Sequence, residues 1–200
     1  MLAASPQTMT NTAFIGLDYI VDITHPDGKI AHAARQVAER NVIGAANRAL
    51  HFARSRNWLT VLAKVGFAED YVDQPRHSPL FGRAHEIGAL ELGTPGTAFH
   101  PGLDQQLADL VIVKPRISAF YGTGLDAALR ARGVQRLVVA GVSSAWAVQG
   151  TVRDAHDRDY QVFVLEDGCA AASEPHHSAS MELLGVIAKV IRVDDLAGLQ

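Results

Sequence analysis

Two side chains of opposite charge stand at the ends of two short apolar runs. Asp18 follows "AFIGL" (13–17), and Lys114 closes "LVIVK" (110–114). If both runs are strands that end at one edge of a sheet, the ammonium group keeps the carboxylate ionised and positioned to move a proton. The spacing alone leaves a second interpretation open, in which the two groups form a purely structural ion pair.

A tight turn between an apolar run and a helical pattern, "VVAGVSSAWAV" (138–148), is the third candidate. Many α/β enzymes hold a nucleophile at such a turn, but this one contains no cysteine. The turn loosely resembles the G-x-S-x-G elbow, and we favour a simpler interpretation in which Ser143 and Ser144 are a turn residue and a helix N-cap. A serine triad would need a downstream acid and histidine, for which the sequence offers Asp167, His176 and His177.

The elements that must position these residues follow from the hydrophobic pattern. Short apolar, β-branched runs alternate with longer segments whose apolar residues recur at i, i+3 and i+4. The short runs predict strands at 13–17, 59–65, 110–114, 136–141, 161–166 and 187–193. The longer segments predict helices at 31–56, 124–133, 144–158 and 174–185.

This alternation predicts the α/β fold class, as a three-layer αβα sandwich with a six-stranded, mostly parallel sheet of Rossmann-like type. Ligands bind such sheets at the carboxyl ends of the strands, where Asp18, Lys114 and the 138–148 turn would meet. A long irregular stretch, 66–103, follows the second strand, and we expect it to close over the site.

Length and composition favour one domain. The 200 residues are 48% hydrophobic and 20% charged with a net charge of −3, which is typical of a globular protein with one core. We expect residues 13–200 to form this domain and residues 1–12 a flexible lead-in without signal-peptide features. Scattered basic residues and the lack of a long apolar run argue against nucleic acid and membrane partners. The expected partner is a small-molecule substrate.

Cysteine and histidine usage favours neither a disulfide nor a metal. The single cysteine, Cys169, indicates a reducing, cytoplasmic location and is interpreted as a structural residue. His176 and His177 are adjacent on a predicted helix and point in different directions, so they cannot share a metal ion. We therefore expect no metal and no cofactor.

Three segments together resemble the isochorismatase-like hydrolases, a cysteine hydrolase superfamily. "AFIGLDYIVDI" (13–23) is similar to their first strand and Asp-x-Gln-x-Asp motif, although Ile20 replaces the glutamine while Asp22 is kept. "IVKPRISAF" (112–120) resembles their Lys-x-x-x-Ser-Ala-Phe segment, and residues 141–160 resemble their Gly-Val turn and following helix. The likeness covers nearly the whole chain.

The resemblance implies a role for each matching position. Asp18 would be the acid/base, Lys114 its partner, and Ala147 occupies the position of the nucleophilic cysteine of relatives. It also implies a cis peptide bond between Val142 and Ser143, an oxyanion site at the backbone of Val142, Ser143 and Ala147, and a homodimer or homotetramer. Aromatic residues within or near these motifs are candidates for the substrate pocket, with core packing as the alternative: Phe81, Phe120, Tyr121 and Trp146.

Because a methyl group cannot attack a carbonyl carbon, three hypotheses remain for Ala147. In the favoured one, the protein hydrolyses a small carbonyl- or carboxylate-bearing molecule without a cysteine, as the isochorismatases of the superfamily do when their Asp protonates a vinyl ether. In the second, alanine has replaced the catalytic cysteine of a small-amide hydrolase that cleaves C–N bonds. In the third, the protein binds a small molecule without turnover.

Overall fold

The computed structural model describes residues 11–199 and contains a six-stranded sheet. The strands are β1 (Thr12–Leu17), β2 (Leu59–Val65), β3 (Leu110–Lys114), β4 (Arg136–Val142), β5 (Gln161–Ala170) and β6 (Lys189–Ile191). Their order is β3-β2-β1-β4-β5-β6, and all neighbouring strands are parallel. The predicted α/β fold with a mostly parallel, six-stranded sheet is therefore confirmed.

Helices connect these strands. Within the described residues they are α1 (Val21–Thr24), α2 (Ala34–Glu39), α3 (Val42–Ser55), α4 (Ala84–Ile87), α5 (Leu125–Ala131), α6 (Gln149–His156) and α7 (Glu174–Leu184). A π-helical turn (Ser144–Val148) leads into α6, and short 3-10 segments lie at Glu69–Tyr71, Pro95–Thr97, Gln105–Leu107 and Val193–Gly198.

Some predicted elements differ from the observed ones. The segment 31–56 forms two helices, because Asn41 between α2 and α3 has a left-handed backbone with φ 51° and cannot continue a right-handed helix. Since α2 begins only at Ala34, His32 lies in the turn before it rather than on a helix. Strand β5 continues past its predicted end at 166 and reaches Ala170.

The centre of the sheet is covered on both faces. Every residue of β1 and β4 is buried, and because successive side chains point to opposite faces, helices must cover each side. Helix α3 packs against β1, β2 and β5, whereas α6 and α7 pack against β5. Apolar strand and helix residues merge into one continuous core.

Strand β1, the first strand of the chain, begins at Thr12. Of the predicted flexible lead-in, residues 1–10 lie outside the described residues. Over residues 11–199, the helices lack the length and apolar character needed to span a membrane.

The carboxyl ends of the strands meet at one edge of the sheet. Leu17 of β1 pairs with Gly141 of β4, and Val65 of β2 pairs with Lys114 of β3. The segment 66–103, called the lid below, folds along this edge. Its residue His100 donates its backbone N–H to the carbonyl oxygen of Tyr19 at 2.8 Å, which ties the lid to the chain just after β1.

Candidate active site

Asp18 and Lys114 form a direct ion pair across the end of β2. Lys114 Nζ donates to Asp18 Oδ2 at 2.7 Å, and the backbone N–H of Val65 donates to Asp18 Oδ1 at 2.6 Å. Lys114 Nζ also donates to the carbonyl oxygen of Arg116 at 3.2 Å. The side chains of Lys114 and Asp18 are only 1% and 4% exposed, so water screens their interaction little.

Burial raises the pKa of Asp18 above its ordinary value of 3.8, since desolvation penalises the charged carboxylate. The Lys114 ammonium and the N–H of Val65 oppose this rise because both stabilise the anion. A carboxyl group in this state can hold a proton and pass it to a ligand, while the ammonium stabilises the carboxylate that is left. The geometry is therefore suited to acid/base chemistry.

The turn after β4 approaches β1 closely because it begins with glycine. Gly141 has φ 154°, and a Cβ at this position would lie 2.4 Å from the carbonyl oxygen of Leu17. No larger residue fits between the two strands without displacing the backbone of β1. Gly141 thus allows the turn to reach the carboxyl end of β1, where Asp18 follows.

The turn itself presents Ser143 and Ala147. The peptide bond between Val142 and Ser143 is cis, as the resemblance implies. Ser143 Oγ accepts the backbone N–H of Ala145 at 3.1 Å, so the N-cap is Ser143 rather than Ser144, one residue earlier than predicted. The π-helical turn that follows carries Ala147, whose side chain is buried at the first helical turn.

A cavity of about 250 Å³ opens beside these groups. Asp18 and Lys114 form its base, the turn after β4 forms one wall, and the lid contributes Leu80, Phe81 and Leu90. All the residues predicted as catalytic or oxyanion groups border this cavity. The other residues that border it are Ile23, Ile30, His32, Ala33, Val65, Ile117, Trp146 and Ala172.

Two of the four aromatic residues expected at the pocket border the cavity, namely Phe81 and Trp146. Phe120 instead stacks on Tyr160 with ring centroids 6.0 Å apart, and Tyr121 is 59% exposed. Neither belongs to the cavity wall, because the segment after β3 turns Ile117 rather than its aromatic residues toward the cavity. The expectation for Phe120 and Tyr121 is corrected accordingly.

Asp22 holds the lid in place, a role that the sequence did not reveal. Its carboxylate accepts the backbone N–H of Lys29 at 3.2 Å and that of Leu90 at 2.7 Å. A Cβ at Gly96 would lie 2.4 Å from Asp22 Oδ2, so the lid backbone also packs against this carboxylate. Since Leu90 borders the cavity, Asp22 fixes part of the cavity wall without touching the cavity itself.

A second buried polar cluster lies behind the turn and is called the Ser144 cluster below. Ser144 Oγ lies 2.8 Å from His177 Nδ1, and His177 Nε2 lies 3.4 Å from Glu166 Oε1. Arg40 and Arg192 pair with Glu166. Burial, with a smaller contribution from Arg40, lowers the pKa of His177 below 6.5 and so favours the neutral imidazole.

The Ser144 cluster contains the residue types of a serine triad, but a ligand in the cavity cannot reach it. Ser144 is fully buried and does not border the cavity, so a ligand there cannot reach its hydroxyl. The acid is Glu166 rather than Asp167, which accepts the backbone N–H of Val193 at 3.0 Å and pairs with Arg48. The structure favours the simpler interpretation of these serines over a nucleophile.

Cys169 also lies apart from the cavity. It is buried in β5, its thiol donates to the carbonyl oxygen of Leu165 at 3.2 Å, and burial raises its pKa to about 12. The neutral thiol is a poor nucleophile. Within residues 11–199, the histidine, cysteine and acidic side chains form no group that could hold a metal ion.

Comparison with curated proteins finds similarity to an amidohydrolase and to an uncharacterized isochorismatase family protein. The ureidoacrylate amidohydrolase RutB of Methylorubrum extorquens is 33% identical over 146 residues, covering 67% of this chain and 59% of RutB. The chain thus spans less than two thirds of RutB. The isochorismatase family protein YecD of Escherichia coli O157:H7 is 28% identical over 182 residues, covering 88% of this chain and 93% of YecD.

Solved structures show the same architecture. An isochorismatase family protein of Desulfovibrio vulgaris superposes with a TM-score of 0.85 at 25% identity, covering 95% of this chain and 98% of the other. The N-carbamoylsarcosine amidase of Thermoplasma acidophilum superposes with a TM-score of 0.76 at 25% identity, covering 94% of this chain and 99% of the amidase.

The family model of the isochorismatase domain matches residues 12–195, which is nearly the whole described chain. The matched residues include Asp18, Lys114 and the Gly141–Val142 turn. The chain therefore belongs to the isochorismatase family, within the isochorismatase-like hydrolase superfamily.

Proposed function

We propose that the protein hydrolyses a small carbonyl- or carboxylate-bearing molecule, with Asp18 as acid/base and Lys114 as its partner, and without a nucleophilic side chain. One observation carries this proposal. The buried Asp18–Lys114 pair borders a cavity in which position 147 presents only a methyl group. Proton transfer is thus the chemistry that the side chains at this cavity support best.

Hydrolysis of a vinyl ether suits such a site. Protonated Asp18 gives its proton to the terminal alkene carbon, which leaves an oxocarbenium ion and the Asp18 carboxylate. A water molecule adds to the cationic carbon and returns a proton to Asp18. The hemiketal that results breaks its C–O bond and yields a ketone and an alcohol. Lys114 stabilises the carboxylate between these two proton transfers.

The turn after β4 would orient the substrate. Ser143 and Ala147 both border the cavity, and backbone N–H groups at the start of a helical turn bind negatively polarised oxygen. We propose that these two amides bind a carbonyl or carboxylate oxygen of the substrate. This role requires no thiol at position 147.

The relatives favour a second candidate, a small-amide hydrolase whose cysteine at position 147 is replaced by alanine. RutB is an amidohydrolase and the Thermoplasma acidophilum protein is an amidase. In that case Asp18 would take the proton of a thiol at position 147, and the thiolate would attack the amide carbon. The present chain would keep the pocket and lack the nucleophile.

Parallel assays separate these candidates. The protein and its Ala147→Cys and Asp18→Asn variants are tested on isochorismate, on 2-ethoxyacrylate and its uncharged methyl ester, and on a panel of small amides. We expect vinyl ether hydrolysis by the protein as it stands, reduced about 10²- to 10⁴-fold in Asp18→Asn. Amide hydrolysis only in Ala147→Cys would establish the second candidate. Ligand binding without turnover in all three proteins would establish a binding protein and contradict both.

We further propose a cytoplasmic homodimer or homotetramer. The buried free thiol of Cys169 is compatible with a reducing compartment, and Trp146 is 56% exposed at the cavity mouth, where a second subunit would cover it. Sedimentation equilibrium of the purified protein measures the subunit number, and a monomer at micromolar concentration would contradict the proposal.

A further inference from the structure

The charges that border the cavity balance each other. Among residues 11–199, Lys114 is the one lysine or arginine in the cavity wall, and its ammonium lies 2.7 Å from the Asp18 carboxylate. The other polar side chains of the wall belong to His32, Ser143 and Trp146. These three residues offer hydrogen bonds rather than a permanent charge. While Asp18 is ionised, as in this ion pair, a ligand therefore meets side-chain charges that already cancel each other.

The rest of the wall is apolar. Ile23, Ile30 and Ile117 face the lid residues Phe81 and Leu90 across the cavity. A carboxylate that enters this space loses its hydration and needs a positive partner, whereas a carbonyl oxygen needs only a hydrogen-bond donor. The wall thus penalises an added negative charge much more than an added carbonyl group.

Donors for a neutral oxygen are present at the cavity. The Lys114 ammonium has three hydrogens and donates to two oxygens, those of Asp18 and Arg116, so one hydrogen is left for a ligand. Ser143 Oγ accepts from the backbone of Ala145, which leaves its hydroxyl hydrogen to donate. A single carbonyl oxygen can be satisfied here without any change in the ion pair.

We propose that the site selects an uncharged small molecule with a carbonyl oxygen and discriminates against the carboxylate of the same shape. This inference rests on the proposed function only in placing the substrate at the Asp18 cavity, and it narrows the substrate from carbonyl- or carboxylate-bearing to carbonyl-bearing. The cavity of about 250 Å³ lies below the range of about 300 to 1,000 Å³ for drug-sized ligands, which limits the substrate to a small molecule. A dianion such as isochorismate does not fit this description.

Matched pairs of ligands test the inference by binding rather than by turnover. Titration calorimetry of the purified protein at about pH 8, where each acid is ionised, compares benzamide with benzoate and nicotinamide with nicotinate. A third pair is methyl 2-ethoxyacrylate and 2-ethoxyacrylate. We expect the neutral member of each pair to bind at least about tenfold more tightly.

Two variants test whether the charges at the cavity wall cause the preference for the neutral ligand. Asp18→Asn leaves the Lys114 ammonium without its anion, so the preference for the neutral member should shrink or reverse. Leu80→Arg adds a cation at a half-exposed lid position that borders the cavity, and carboxylate binding should improve about tenfold. Ile87→Arg is the matched control, because Ile87 is an exposed lid residue outside the cavity wall.

The outcomes separate this inference from the proposed function. Equal or tighter binding of the carboxylates by the unaltered protein, or no binding of any probe at millimolar concentration, would overturn the inference. An effect of Ile87→Arg as large as that of Leu80→Arg would overturn its electrostatic basis. A clear neutral preference without hydrolysis of any substrate would support the inference while contradicting the proposed function.

Discussion

The Asp18–Lys114 pair and the Ser144 cluster flank the same turn and contain similar groups, but they face different surroundings. Each includes a carboxylate held by a cation, and each is largely buried. The pair borders the cavity, whereas the Ser144 hydroxyl lies behind the turn against α7. The difference shows that access to a ligand, rather than the kinds of residues present, separates a reactive cluster from a structural one.

The two clusters also differ in how they hold their protons. The Asp18–Lys114 pair is a single cation beside a single anion, and burial works against the charge on Asp18. In the Ser144 cluster, Glu166 accepts from His177 Nε2, so Nδ1 is left to accept the Ser144 hydroxyl. This neutral imidazole links β5, α7 and the turn after β4 without a proton that is available to a ligand.

The largest expected effect is the loss of stability in Lys114→Met. The variant leaves the Asp18 carboxylate buried with only the N–H of Val65, and breaking a buried pair in this way costs about 3 to 5 kcal/mol. Urea unfolding at neutral pH measures this loss. Lys64→Met on the adjacent strand is the matched control, since Lys64 is half-buried and bonds to the carbonyl oxygen of Thr97. An equal loss in both variants would show that the pair has no special energetic role.

A smaller loss of stability is expected for Ser144→Ala. The activity of this variant distinguishes the Ser144 cluster from the Asp18–Lys114 pair. The variant leaves His177 Nδ1 buried without its partner, so the free energy of unfolding should fall by about 1 to 3 kcal/mol. The kcat on any substrate that the protein turns over should stay within about threefold, because Ser144 does not reach the cavity. Loss of activity as severe as in Asp18→Asn, with the fold intact by circular dichroism, would identify Ser144 as a catalytic residue.

These clusters show why the sequence predicts one part of the site and not the other. Asp18 and Lys114 each end an apolar run, so the topology of a parallel sheet is sufficient to bring them to one edge. The link between Ser144 and His177 depends on how α7 packs, and no pattern in the sequence encodes that packing. The central strands β1 and β4 were predictable from their residues alone, because parallel strands that are buried on both faces are continuous apolar runs.

The cavity wall was harder to predict than its base. Leu80, Leu90 and Ile117 are aliphatic residues that any core could contain, and they reach the cavity only because the lid and the segment after β3 fold in a particular way. The lid is held by Asp22, whose carboxylate accepts the backbone N–H of Leu90, 68 residues away along the chain. Backbone donors have no sequence signature, so only the long lid segment itself indicated that a wall would form.

The pH dependence of stability should have opposite signs at the two clusters. The raised pKa of Asp18 means that the folded chain keeps a proton that the unfolded chain loses, so this group reduces stability as the pH rises above 3.8. The lowered pKa of His177 means that the unfolded chain binds the proton more readily, so this group increases stability as the pH rises toward 6.5. Three charged groups face this imidazole. Burial and the Arg40 guanidinium together lower its pKa more than the carboxylates of Glu166 and Glu174 raise it.

Urea unfolding between about pH 4 and pH 7 measures these slopes. The free energy of unfolding of the unaltered protein minus that of Asp18→Asn should decrease as the pH rises. The corresponding difference for His177→Gln should increase. Differences that change in the same direction would contradict the assignment of a protonation-prone carboxyl to one cluster and a neutral imidazole to the other.

The smallest effect on stability is expected at Cys169, which lies beside Arg40 of the Ser144 cluster and does not border the cavity. Because burial raises its pKa to about 12, the folded protein should resist alkylation by iodoacetamide and react only in urea. Cys169→Ala should lower the free energy of unfolding by about 1 kcal/mol and leave activity unchanged.

In Ala147→Cys, by contrast, the new thiol would border the cavity beside Asp18, and mass spectrometry should find position 147 alkylated before Cys169. Alkylation at Cys169 first would mean that β5 opens more readily than the cavity admits the reagent, and that the cavity rather than the core is the closed part of the molecule.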